Sequence, residues 1–142
     1  MQLRSILAAS AAVIVIVLAG CGATTLVLPP EQAVSASFSQ SDIRTAILSA
    51  ASVRHWRVVE DVPGRVRVSY PSNERTVNYE ATFDVNYSKT GYNIKYVKSY
   101  GLGEKLNCNG TDQLCIHRNV SKWVANLNAD IQRFLVNPNR NK

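Results

Sequence analysis

Three cysteines, two histidines and a few closely spaced carboxylates are the residues of this 142-residue chain whose types and spacing most directly suggest chemistry. Cys108 and Cys115 stand seven positions apart in CNGTDQLC. Two thiols so close can form a disulfide, act as a redox pair or help to hold a metal. Redox pairs usually have two residues between the cysteines at the start of a helix, and this spacing departs from that. Tetrahedral zinc prefers tighter pairs and needs a fourth ligand, which Cys108, Cys115 and His117 do not supply. A structural disulfide is the simplest expectation for a chain that leaves the reducing cytosol.

The N-terminus points to such an exit. Arg4, an apolar run from Ile6 to Leu18 and the small residues Ala19 and Gly20 make up the parts of an export signal over residues 1–20. The run is shorter than the roughly 20 apolar residues of a spanning helix. It ends in LAGC, Leu18 to Cys21, which resembles the bacterial lipobox. There a diacylglycerol is attached to the cysteine thiol and the signal is cut just before it. Cys21 is therefore expected to be lipidated and to tie the chain to a bilayer; two or more acyl chains, at about 0.8 kcal/mol per buried CH₂, anchor stably. A plain secretory signal followed by an incidental free cysteine is the simpler alternative. Gly22, in place of Asp after the cysteine, favours the outer membrane where a cell has two.

The other candidates read more plainly. His55 falls at a helix-to-strand junction and His117 just before a long helix; either could be a base, but exposed or hydrogen-bonded structural positions explain both. Glu60 and Asp61 lie beside a turn, while Glu80 and Asp84 share one face of a strand. Cross-strand pairing with Arg65, Arg67 or Lys95 accounts for that face more simply than catalysis does. Tyr79, Tyr87, Tyr92 and Tyr96 share parity with Val77, Phe83 and Ile94, which places them in the core or at its margin rather than on a nucleic-acid stacking platform. GxSxG, HExxH, P-loop and GxGxxG patterns are absent from the sequence. No metal, cofactor or nucleic acid is implied.

These residues need elements to hold them. Residues 21–40 are the lipidated cysteine and, from Gly22, a stretch rich in Ala, Ser, Thr and Pro that reads as a tether. One domain is expected over 41–137, with a short tail at 138–142. Ile43, Ala46, Ile47, Ala50 and Ala51 have helical spacing, so a helix is expected from about Asp42 to Arg54, with Ser41 as its N-cap. From Trp56 the period becomes two, through Val66, Val68 and Tyr70, then Val77 to Tyr87, then Tyr92, Ile94 and Tyr96. Breakers at Pro63-Gly64, Pro71 to Glu74 and Ser88 to Gly91 separate the runs. Ile116, Val120, Trp123, Val124, Leu127, Ile131, Phe134 and Leu135 then hold one helical face until Pro138. The expected fold is α+β: an N-terminal helix, a four-stranded antiparallel meander and a C-terminal helix, both helices on one face of the sheet.

With RHW at 54–56, YNIKYVKSYGL at 92–102 and IHRNVSKWVANLNADI at 116–131, the chain resembles a group of small uncharacterised bacterial envelope lipoproteins. Tyr92, Ile94, Tyr96, Ser99, Ile116, His117, Asn119, Trp123, Leu127 and Ile131 fit the group's pattern. Val120 stands where that pattern has a tyrosine. The resemblance implies an envelope address and this fold; it implies no activity and no ligand.

Charge is unevenly spread. From Lys89 onward nine Lys or Arg face three Asp or Glu, whereas residues 21–88 carry six against seven. Arg118, Lys122 and Arg133 are the candidates for contact with anionic lipid or glycolipid phosphates, where each basic residue contributes about 1 kcal/mol before salt screens it. An ordinary solvated face is the alternative. The leading expectation is a non-catalytic, membrane-anchored envelope lipoprotein that contacts another envelope component as an adaptor. A small-ligand carrier with an apolar cavity between sheet and helices is the second, and an unrecognised hydrolase the third.

Overall fold

The computed structural model describes residues 22–73 and 78–137. Cys21, the export signal, the 138–142 tail and the start of the expected strand at Thr76 and Val77 lie outside the described residues.

The described residues fold as α+β, with two α-helices and a mixed-length antiparallel sheet. Strands β1 (Ala23–Thr25) and β2 (Gln32–Ala33) come first, then helix α1 (Gln40–Val53). The meander follows as β3 (Arg57–Val62), β4 (Arg65–Tyr70), β5 (Glu80–Ser88) and β6 (Gly91–Tyr100), and the chain closes with β7 (Cys115–His117) and α2 (Asn119–Val136). The sheet has five strands rather than four, because β2 adds to β6 and gives the order β2-β6-β5-β4-β3. Gly91 makes that addition possible: a Cβ there would collide with the Gln32 carbonyl. β1 and β7 form a separate two-stranded ribbon.

The segment expected to be a tether is thus part of the fold. Ala23 pairs with His117, Thr24 with Ile116 and Thr25 with Cys115. Beyond the ribbon, the Val27 N–H donates to Ser121 Oγ at 3.0 Å and Gln132 Nε2 to Gln32 Oε1 at 2.5 Å, so residues 27–32 run along α2. Leu26, Leu28, Val34 and Phe38 pack against the core. Composition suggested slack; these four apolar side chains supply the burial that removes it.

Helix α1 begins two residues earlier than expected, at a capping box in which Ser39 and Asp42 each bond the other's backbone N–H. Its side chains Ile43, Ile47, Ala50 and Ala51 are fully buried. It packs on α2 and on β3, β4 and β5. Ile116 belongs to β7 rather than to the last helix, which starts at Asn119. Val120, Val124, Leu127 and Ile131 then line its buried face. A chain of rings joins the layers: Tyr79 stacks on Trp123, Trp123 meets Tyr70 at 4.9 Å, and Tyr70 meets Trp56, which touches Phe83. Tyr87 and Tyr92 are buried, and Tyr79 and Tyr96 pack at the core margin.

Candidate functional site

The two cysteines lie next to the N-terminal ribbon. Cys108 opens a single 3-10 turn and Cys115 begins β7. Their Cα atoms are 5.8 Å apart, at disulfide distance, and both side chains are buried. Asn107 and Asn109 take positive φ to close this short loop, a conformation asparagine tolerates better than most residues. Lys105 and Cys115 exchange backbone hydrogen bonds of 2.9 Å in both directions, so the 105 segment flanks β7 on the side away from β1. Loop and ribbon form one small platform beneath the start of α2.

His117 ends β7, and its Nδ1 accepts from the Asn119 N–H at 3.2 Å. It therefore satisfies one of the free donors at the start of α2, where Arg118 makes no side-chain cap. His55 has φ 57°, and it sits just past α1, where the Trp56 N–H reaches the Ala51 carbonyl and its own N–H reaches Ser52. That is a Schellman closure with histidine in the place glycine usually takes. Both histidines have local structural work, and the structure does not bring them together with the carboxylates.

The carboxylates meet arginines. Arg67 holds Asp84 through two parallel bonds of 2.7 and 2.9 Å, and this bonding keeps the Asp84 carboxyl below its ordinary range against the opposing effect of burial. Arg57 reaches Glu80, Arg65 reaches Glu60 and Arg44 forks onto Asp61. The face of β5 that carries Glu80, Thr82 and Asp84 is partly closed: Glu80 is 7% exposed, Thr82 2%, and Ser69 opposite it 1%. The Ser69 and Thr82 hydroxyls bond at 2.8 Å, and Arg57 reaches across to Glu80. Glu80 and Asp84 have different partners and do not converge as an acid–base pair.

Of the three basic residues expected at an anionic surface, Arg118 at the N-cap of α2 and Lys122 in its first turn are exposed. Arg133 lies eleven residues further on than Lys122, about 16 Å along the axis at 1.5 Å per residue. Its guanidinium bonds Asp130, a buried carboxylate that also takes the Arg54 guanidinium from the end of α1. Arg133 is thus part of a structural triad, and Arg118 and Lys122 form a separate group.

At the opposite end of α2 a surface cleft of about 560 Å³ is lined by Phe38, Tyr92, Gln132, Leu135 and Val136 together with β2. The Tyr92 hydroxyl donates to Asn128 at 2.7 Å, and burial raises its pKa well above that of a free phenol. Among the described residues no three His, Cys, Asp or Glu side chains gather to hold a metal ion, and no helix is long and apolar enough to cross a membrane.

Composition pointed away from two features that matter here. β1 is three residues long and β2 two, too short for alternation to register, and Asp130 is an acid on the buried face of a helix. A signal for the first existed in Leu26 and Leu28, apolar residues in a stretch otherwise small and polar. No protein-family model, curated protein or solved structure matches the chain.

Proposed function

We propose that this chain is a lipid-anchored bacterial envelope lipoprotein, acylated on Cys21, whose folded domain is a non-catalytic adaptor for another envelope component. One observation carries the reading: the apolar run from Ile6 to Leu18 ends in LAGC, Leu18 to Cys21, two residues before the described strand β1. An outer-membrane address follows from Gly22 where the cell has two membranes. The adaptor role is supported by the engagement of potential acid–base groups in structure: Asp84, Glu80, Glu60, Asp61 and Asp130 all hold arginines, and His117 caps a helix. We also infer that α1 and α2 lie side by side on the apolar face of the sheet. The contacts of α1 with β3 to β5 and of Trp123 with Tyr70 and Tyr79 support that arrangement, and the Cys108–Cys115 pair is covalent in the exported protein.

Mass spectrometry of the mature N-terminus tests the anchor. The expected species starts at a Cys21 carrying a thioether-linked diacylglycerol, and Cys21→Ala leaves uncleaved precursor or protein released from the membrane. An unmodified Cys21 thiol in native protein overturns it. The cleft at Phe38, Tyr92 and Leu135 favours the carrier as a second reading, since its volume is in the range of small-ligand sites. An apolar small molecule retained through purification of the native protein supports the carrier over the adaptor.

A further inference from the structure

The tether's absence fixes which end of the domain meets the bilayer. Ala23 is in register with His117, and two residues of extended chain reach at most about 7 Å, so the Cys21 acyl group must enter the membrane close to the end of β7. Arg118 is the next residue along, and Lys122 follows one helical turn later; both are exposed. Lys105, also exposed, sits on the strand-like segment flanking β7. Two acids lie in this neighbourhood, Glu104, which accepts from the Leu102 N–H at 3.3 Å, and the exposed Asp112 of the Cys108–Cys115 loop, against the three basic side chains. β6 runs away from the same place: the His117 N–H bonds the Leu102 carbonyl just beyond Tyr100, and ten residues at about 3.3 Å put the Ser88–Gly91 turn roughly 30 Å off. That far turn has Lys89 with Glu31 in the same neighbourhood.

We propose that β1 is a rigid mount that holds the domain end-on to the membrane, with Arg118, Lys122 and Lys105 against anionic lipid phosphates and the Ser88–Gly91 turn directed away. This rests on the acylation of Cys21. The mount adds what an anchor alone does not: basic side chains kept within a few ångströms of the head groups, where a flexible tether would dilute them through a wider shell. It also turns the cleft at Phe38, Leu135 and Val136, at the other end of α2, outward.

The test uses the mature lipidated chain in bilayer discs containing phosphatidylglycerol, with a paramagnetic chelate on a fraction of the head groups. Backbone amide signals of Gly103, Arg118 and Asn119 are expected to lose most of their intensity, while those of Ser88 to Gly91 keep theirs. Inserting about ten Gly and Ser residues between Gly22 and Ala23 is expected to flatten this gradient. Replacing Arg118, Lys122 and Lys105 together with Gln is expected to reduce it, with the amide spectrum otherwise unchanged. An even loss along the chain, a reversed gradient, or a gradient indifferent to both variants overturns the mount. Mass spectrometry of the same sample separates the causes. Lipid on Cys21 with an even loss leaves the anchor standing and removes the mount; a Cys21 without lipid removes both.

Discussion

Arg54, at the end of α1, donates through Nε to Asp130 Oδ2 of α2 at 2.5 Å, across 76 positions of sequence. The Asp130 side chain is 3% exposed and the arginine 43%, so the charge of the acid is buried while its partner reaches water. Arg133 supplies a second guanidinium from one turn further on. Because either arginine can satisfy the carboxylate in part, Arg54→Ala and Arg133→Ala are each expected to cost about 1 kcal/mol. The double variant is expected to cost more than their sum, approaching the roughly 3–5 kcal/mol of a buried charge left unpaired. Chemical denaturation of the four proteins measures the coupling. Simple additivity would mean that water, not protein, satisfies Asp130.

Arg67 and Asp84 predict an acid limb. The Asp84 pKa is lowered in the folded state by the hydrogen bonds from Arg67, so its contribution is complete above the unfolded carboxylate value of about 3.9 and disappears as pH falls through the lower folded value. Asp84→Asn is expected to cost on the order of 1 kcal/mol near neutrality, since the pair is only partly buried. The gap between variant and wild type should then narrow below about pH 4. Stability curves that stay parallel into acid would assign the pair no role in pH dependence.

How far the fold could be read in advance depended on the length of each element. Val66, Val68 and Tyr70 against Arg65, Arg67 and Ser69 give three full periods, and β4 is where alternation places it. β2, with two residues, has one period and was invisible. Ile116 shows the limit from another side: it keeps helical spacing with Val120, yet lies in β7, because Thr24 offers its backbone a strand partner from more than ninety residues away. Spacing within a segment cannot report such a partner. For the candidate site, the paired cysteines and the Arg67–Asp84 pair were legible from local spacing and strand parity, whereas Glu80 is held by Arg57 rather than by Arg65, Arg67 or Lys95. The triad at Asp130 was not legible, since it joins two helices whose contact depends on the whole fold.

The cysteine pair predicts non-additive stability. Closing an eight-residue loop stabilises by about 2.5 kcal/mol in the chain-entropy model. Cys108→Ser and Cys115→Ser are expected to lose similar amounts, and the double variant no more than either, because one link is broken in every case. Thermal unfolding with and without reductant supplies the comparison. Two titratable thiols in the native, exported protein would count against the bridge.

His55 gives the clearest test of whether a histidine here does chemistry or only closes a helix. Its φ of 57° lies in the left-handed region, which costs a residue with a Cβ about 1 kcal/mol or more and costs glycine nothing comparable. The conformation is enforced because the Trp56 N–H must turn back to the Ala51 carbonyl, 2.8 Å away, for the Trp56 ring to enter the core at 6% exposure. Replacement by glycine keeps that geometry and relieves the strain, so His55→Gly is expected to stabilise by up to about 1 kcal/mol. His55→Val, β-branched and ill suited to positive φ, is expected to destabilise by more than that. Differential scanning calorimetry of the two variants decides the matter. If the glycine variant instead melts well below wild type, the imidazole makes a contribution beyond the turn, and His55 returns to the list of candidate functional groups.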